Sequence, residues 1–247
     1  MTDTTGFRAN IGIIVPSSNT TVGPECDALA PYGITNHIAR VTIKSASMSD
    51  PQAYMAHVEM MRAGIQGAVD QIMTAPVDHL ILGVAIETFW GGVEDAEKFR
   101  ARLAAHAGVG VTFGSQALVK GLAAHGSRRI AVLTPHQPQG DAIVRAYFEQ
   151  AGFEVVRLHG MKCDKPVDIA RTPRAVLVDL LKQLDGPDID AIVQVGTALP
   201  MLRVAAAAEL MLGKPVLSIN GYSYWAALRS MGFTDKIENV GSMMLDF

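Results

Sequence analysis

The sequence predicts an α/β protein of two pseudo-symmetric lobes, each a short parallel sheet flanked by helices. Three observations lead there. Short runs of Val, Ile and Leu alternate with longer amphipathic stretches along the whole chain. The runs show no polar alternation, as parallel strands covered on both faces require. The order of these elements also occurs twice.

The runs read as strands are Ile11–Val15, His37–Ile43, His79–Val84, Val109–Phe113, Arg129–Leu133, Glu154–Leu158, Ala191–Val195 and Pro215–Ile219. Between them lie helical stretches, among them Pro51–Thr74, Val93–Ala107, Ser115–His125, Gly140–Ala151 and Thr172–Leu184. In the first of these, Met55, Val58, Met61, Ile65, Ala68 and Ile72 fall on one face, the side expected to meet a sheet. Strands separated by helices call for right-handed crossovers. From Asn10 to Phe113 the chain reads strand, loop, helix, strand, helix, strand, loop, helix, strand, and it reads so again from Arg128 to Ile219. The segment LILGVAIETFWGG of the first half corresponds to IVQVGTALPMLRV of the second, and GIIVPSSNT to AVLTPHQPQ. The repeat predicts an N-terminal lobe over 1–115 and a C-terminal lobe over 116–219, with 220–247 packing back on the first.

Composition narrows the function. The chain has 247 residues, 49% apolar, and a formal net charge of −3. Its basic residues are scattered, which argues against a nucleic-acid footprint, since phosphate binding needs clustered Lys and Arg. No run approaches the ~18 apolar residues that crossing a bilayer takes. The start, MTDTTGFRAN, has neither a basic region nor an apolar run, so no secretory signal is read there. Cys26 and Cys163 read as reduced thiols, and neither stands at metal-ligand spacing from a His. A cytoplasmic protein without a metal is the expectation. The apolar balance and the 12 methionines fit helix faces that meet another subunit, a homo-oligomer, or equally helices packed within the lobes.

Ligands of open parallel sheets bind beyond the carboxyl ends of the strands, which selects four loops. Pro16–Thr21 offers Ser17 and Asn19 at a helix start, groups that suit a carboxylate but equally serve as an N-cap, through Thr20 or Thr21. Val84–Gly92 holds Glu87 and Thr88; a carboxyl directly after a buried strand is desolvated and suits general acid–base work, or else it satisfies backbone N–H groups. Thr134–Pro138 holds His136, the one histidine that directly follows a strand end in a candidate loop, suited to binding a carboxylate or moving a proton. The other histidines, 37, 57, 79, 106, 125 and 159, read as structural. Gln194–Pro200 holds Gly196, where a ligand can approach the backbone, and Thr197. Tyr54 at the start of the long helix and Asn220 after the last strand are within reach of the same cleft.

The opening Ile11-Gly12-Ile13-Ile14-Val15-Pro16-Ser17-Ser18-Asn19-Thr20-Thr21 resembles the maleate cis-trans isomerases. With the Tyr54 region, the FWGG turn, Ser115–Gly126, Arg129–Thr134 and the Gly196 loop, the chain resembles the arylmalonate decarboxylase branch of the aspartate/glutamate racemase superfamily over nearly its whole length. That resemblance implies two lobes enclosing a small carboxylic-acid substrate, with neither metal nor organic cofactor. It also implies a cysteine after the third strand of each lobe, or of the second lobe alone in decarboxylases. The corresponding places hold Val84 and Val195 here, and valine neither attacks a double bond nor delivers a proton. Asn19 and Ser17 match the family's carboxylate loop, Tyr54 a substrate-contacting tyrosine, His136 the place of a tyrosine that holds the acid, and Gly196 with Thr197 the backbone cradle.

The sequence reading is therefore a cofactor-independent isomerase or lyase, with hydratase or hydrolase chemistry open, in which Glu87 and His136 replace thiols. Ser17, Asn19, Tyr54, Thr88, Gly196 and Thr197 would bind the substrate. A catalytically silent relative that binds a small acid is the alternative, and thiol chemistry through Cys26 or Cys163 is a third reading.

Overall fold

The computed structural model describes residues 3–43, 48 and 50–247. In the first half, β1 (Ala9–Pro16), β2 (Ile34–Val41), β3 (His79–Leu82) and β4 (Gly110–Phe113) form a parallel sheet in the order β2-β1-β3-β4. The helices are α1 (Val22–Asp27), α2 (Pro51–Ile72), α3 (Gly92–Ala107) and α4 (Gly114–Ala124). In the second half, β5 (Arg129–Thr134), β6 (Glu154–Gly160), β7 (Ala191–Gln194) and β8 (Val216–Ser218) form a parallel sheet in the order β6-β5-β7-β8. With it come α5 (Pro138–Gln150), α6 (Pro166–Ile169), α7 (Arg174–Leu184), α8 (Leu202–Leu212), α9 (Ile219–Ser230) and α10 (Met243–Asp246). Replacing each strand by the one four places later turns the first order into the second, so the sequence repeat is a repeat of topology.

The period of two along a strand divides the first sheet's side chains between two cores. Ile14, Leu80 and Leu82 point into a core with Met61, Ile65 and Ile72 of α2. Ile11, Ile13 and Ile81 point the other way, into a core that continues through Ile130–Leu133 and Ala191–Val193 of the second sheet. Helices α4 and α9 join the halves: α4 packs on β4 and β8, and α9 on β3, β4 and β8. Phe89, from the first half, adds edge-on contacts to Tyr147 and Phe148 of α5, with centroids 4.9 and 5.7 Å away.

Element ends depart from the sequence reading in ways that matter for the site. β2 begins at Ile34 rather than His37, because its pairing with β1 starts at Ala9↔Ile34. β3 stops at Leu82 and β7 at Gln194, where their ladders to β1 and β5 end. Val84 and Val195 therefore stand in loops, although both remain buried and so read like strand. The buried stripe of α2 is headed by Tyr54 instead of Met55, which is only partly buried. No helix among the described residues is long and apolar enough to cross a membrane.

Candidate active site

The four strand-end loops meet between the halves around a cavity of about 80 Å³, room for a few waters or one small organic acid and too little for a nucleotide. Ser18 and Asn19 follow β1, Val84 to Glu87 follow β3, Pro135 and His136 follow β5, and Gly196 to Ala198 follow β7. Tyr54, His57 and Met61 of α2 and Ile169 of α6 also line the wall.

Asn19 does two jobs. Its Oδ1 accepts from the N–H groups of Thr21 and Val22 at 2.9 and 3.0 Å, capping α1, and its Nδ2 donates to Thr197 Oγ1 at 3.2 Å. The capping side chain is thus that of Asn19, two residues before the N-cap position Thr21, whose own hydroxyl donates instead to the Ala198 carbonyl, 2.8 Å away. Gly196 has φ +122°, a conformation reserved for glycine, and a Cβ there would stand 2.4 Å from Pro135 Cδ. That close approach holds the two second-half loops together.

Glu87 lies on a single 3₁₀ turn, Ile86–Thr88, and is almost completely buried. No cation among the described residues comes within ion-pair distance of it. Burial raises its carboxyl to about 7, against smaller downward pulls from its own backbone N–H and from the more distant Arg62. A carboxyl poised there takes and returns protons near neutral pH. His136 is driven the other way, down to about 4, chiefly by burial and secondarily by the charge of His57. His57 is likewise lowered by burial. Both imidazoles are neutral at pH 7. Tyr54 is held firmly as the phenol by burial, with the charges of Glu87 and Asp141 adding to it.

His136 is held by its backbone. Its N–H donates to Thr134 Oγ1 at 3.0 Å, and that hydroxyl donates to Asp141 Oδ1. Tyr54 approaches the start of α5 so closely that a Cβ on Gly140 would lie 2.3 Å from the Tyr54 hydroxyl and 2.8 Å from His136 Cβ. The Tyr54 and His136 rings meet edge to face with centroids 6.4 Å apart.

Six of the eight residues singled out in the sequence, Asn19, Tyr54, Glu87, His136, Gly196 and Thr197, line this cavity. Ser17 and Thr88 do not. Ser17 is exposed, and its hydroxyl accepts from the Ile43 N–H, clipping the end of β1 to the chain leaving β2; Ser18 lines the cavity in its place. Thr88 is fully buried, its hydroxyl spent on the Ala85 carbonyl and its own carbonyl on Ser115 Oγ, so it ties the turn to α4.

Two residues escaped the sequence reading. His57 lines the cavity, although it reads there as a helix-face histidine; its spacing of three from Tyr54 was the available signal. Glu25 of α1 accepts from the Leu202 N–H at 2.8 Å and from Asn220 Nδ2 at 2.7 Å, and Asn220 Nδ2 also donates to the Thr197 carbonyl. Asn220 thus holds the Thr197 loop from behind. Nothing in the sequence marks Glu25 as more than a first-turn acid.

The sequence profile of the arylmalonate decarboxylase family matches residues 11–244. This chain is a member of that family. Among curated relatives of this family member, the maleate isomerase of Nocardia farcinica is 26% identical over 97% of the chain and 96% of the relative, and that of Geobacillus stearothermophilus is 25% identical over 95% and 96%. The fold is that of a Nocardia farcinica maleate cis-trans isomerase variant carrying a covalently bound succinylcysteine intermediate (TM-score 0.86, 23% identity, 96% of this chain and 98% of that one). It is equally that of a liganded arylmalonate decarboxylase variant (TM-score 0.83, 22% identity, 97% of this chain and 100% of that one). Membership in the arylmalonate decarboxylase family places the chain among enzymes of the isomerase and lyase type. In this family member no thiol lines the cavity among the described residues. Cys26 is buried in α1 and Cys163 lies partly buried beyond β6, each with its thiol raised by burial.

Proposed function

We propose that this protein is an isomerase or lyase of small carboxylic acids, independent of cofactors, in which Glu87 performs the proton transfer that a thiol performs elsewhere. One observation carries the reading: a carboxyl held near neutrality by burial stands on the wall of a small cavity, with neutral donors around it.

The substrate carboxylate is received between Asn19 and the Gly196–Ala198 loop, whose three N–H groups donate to no acceptor among the described residues. As a base, ionised Glu87 takes a proton from the carbon beside that carboxylate. The C–H bond breaks, the O–H bond forms, and the electron pair passes into an enediolate stabilised by those donors. Return of the same proton to another face or carbon completes an isomerisation. As an acid, protonated Glu87 gives its proton to the carbanion left when a carboxylate departs as carbon dioxide. His136, neutral and facing Tyr54, orients the acid.

The test is proton NMR in deuterated buffer with short-chain mono- and dicarboxylic acids, paired with thermal-shift measurement of the same acids. The expected result is consumption of an acid, or exchange of its C–H for deuterium, slowed roughly 100-fold or more by Glu87→Gln while the thermal shift persists. Full activity in that variant overturns the role of Glu87. Binding by the wild type without turnover or exchange assigns the protein as a silent acid-binding relative, the reading that the thiol-free wall favours.

A further inference from the structure

Three polar atoms on residues of the cavity wall are shut off from solvent with no hydrogen-bond partner among the described residues: the Tyr54 hydroxyl, His57 Nδ1 and His136 Nε2. Leaving a buried donor or acceptor unpaired costs about 1–3 kcal/mol each, so a cluster of three at one cavity marks a place that a ligand completes. Tyr54 and His57 lie one turn apart on α2, and His136 arrives from the opposite half with its ring edge to Tyr54.

We infer that His57 is a specificity-determining residue, and that the substrate bears, besides its carboxylate, an uncharged oxygen (a hydroxyl or a carbonyl) that hydrogen-bonds to His57 alongside His136 and Tyr54. The inference deepens the proposed acid-transforming role and rests on this cavity being the acid site. The chemistry of the three groups selects the substituent. Two neutral imidazoles and a phenol each offer a donor, an acceptor or both. A hydroxyl uses both kinds and a carbonyl uses the donors. An apolar substituent would leave all three atoms unpaired. A second carboxylate would set another negative charge in the cavity that Glu87 lines, against the ionised form in which Glu87 takes a proton.

The test is isothermal titration with butanoate, 2-hydroxybutanoate, 3-hydroxybutanoate, 2-oxobutanoate and butanedioate. It uses the wild type, His57→Phe, which fills the space without a polar atom, and His57→Asn, whose side-chain amide keeps polar atoms close to the ring nitrogen. At least one oxygenated acid is expected to bind the wild type roughly tenfold or more tightly than butanoate, since a site built to bond an oxygen rejects the analogue lacking it. His57→Phe should erase that preference, read as the ratio of the butanoate Kd to that of the oxygenated acid within the one variant, and His57→Asn should restore much of it. Butanoate binding the wild type as tightly as every oxygenated acid overturns this inference alone, as does tightest binding by butanedioate or an unchanged preference in His57→Phe. If none of the acids binds, this inference and the acid-site reading fall together.

Discussion

Nδ2 of Asn19 donates to Oγ1 of Thr197 across 3.2 Å, and by this bond a loop of the first half holds a loop of the second at the cavity wall. Asn19 spends its other amide atom on capping α1, so one side chain fixes both a helix start and the junction of the halves.

Asn19→Ala should cost about 1–2 kcal/mol of stability through the lost cap, and Thr197→Val about 0.5–1 kcal/mol through the lost acceptor. In a double-mutant cycle measured by urea denaturation the two should couple by ~0.5 kcal/mol or more. Strict additivity would show that the bond contributes nothing.

Glu87→Gln separates protonation from packing. Below pH 4.5, the ordinary value for a glutamate, folded and unfolded chains both hold the Glu87 proton. Between pH 4.5 and about 7 the folded chain holds a proton that the unfolded chain has released, so wild-type stability falls as pH rises. Above 7 both forms are ionised and the deficit is constant, at most about 3 kcal/mol. Gln cannot ionise. The variant should therefore match the wild type near pH 4.5 and exceed it at pH 8. The opposing contribution of neutral His136 is common to both proteins and cancels. A stability difference that does not change with pH rejects a desolvated Glu87.

Gly140→Ala gives an outcome whose sign decides. In a helix, Ala is favoured over Gly by about 1 kcal/mol. A Cβ at this position, however, would lie 2.3 Å from the Tyr54 hydroxyl. Net destabilisation and weakened acid binding are expected in thermal melts with and without ligand. A stabilised variant with unchanged binding would mean that Tyr54 and His136 need not stand where they do.

Glu25→Ala strips the Leu202 N–H and the Asn220 amide of their acceptor and should lower stability by roughly 1–3 kcal/mol at pH 5, and by less at pH 8, because burial raises the Glu25 carboxyl to about 7 and its ionisation above that offsets part of what the two bonds contribute. Calorimetric melting close to that of the wild type would show that water replaces the carboxylate without cost.

Cys26→Ala with Cys163→Ala should leave acid binding and turnover intact, because neither thiol lines the cavity. Loss of turnover in a folded double variant would return the chemistry to sulfur.

Much of this was legible in the chain. Consecutive apolar residues such as Ile13-Ile14-Val15 and Ile130–Leu133, short and rich in β-branched side chains, read as strands covered on both faces, and their repetition predicts a repeated topology. Polar residues immediately beyond such runs, Asn19, Glu87, His136 and Thr197, have few places to be except the rim of a cleft. Legibility ends where direction within a loop decides. Ser17 and Ser18 are chemically identical neighbours, and only the turn of the chain after Pro16 puts one outside and the other on the wall. Thr88 follows Glu87 on a 3₁₀ turn, so the two side chains point apart. Val84 and Val195 are buried loop residues that composition cannot distinguish from strand. Glu25 carries no local mark and His57 only its spacing of three from Tyr54; their surroundings come from parts of the chain distant in sequence.

The apolar core that runs without a break from Ile11, Ile13 and Ile81 into Ile130–Leu133 has a mechanical consequence. Parting the sheets to admit a molecule would wet that whole seam, so a jaw-like swing of the halves carries the cost of exposing it. An opening made by side chains and short connections leaves that seam dry, and so costs less than any that moves one sheet away from the other.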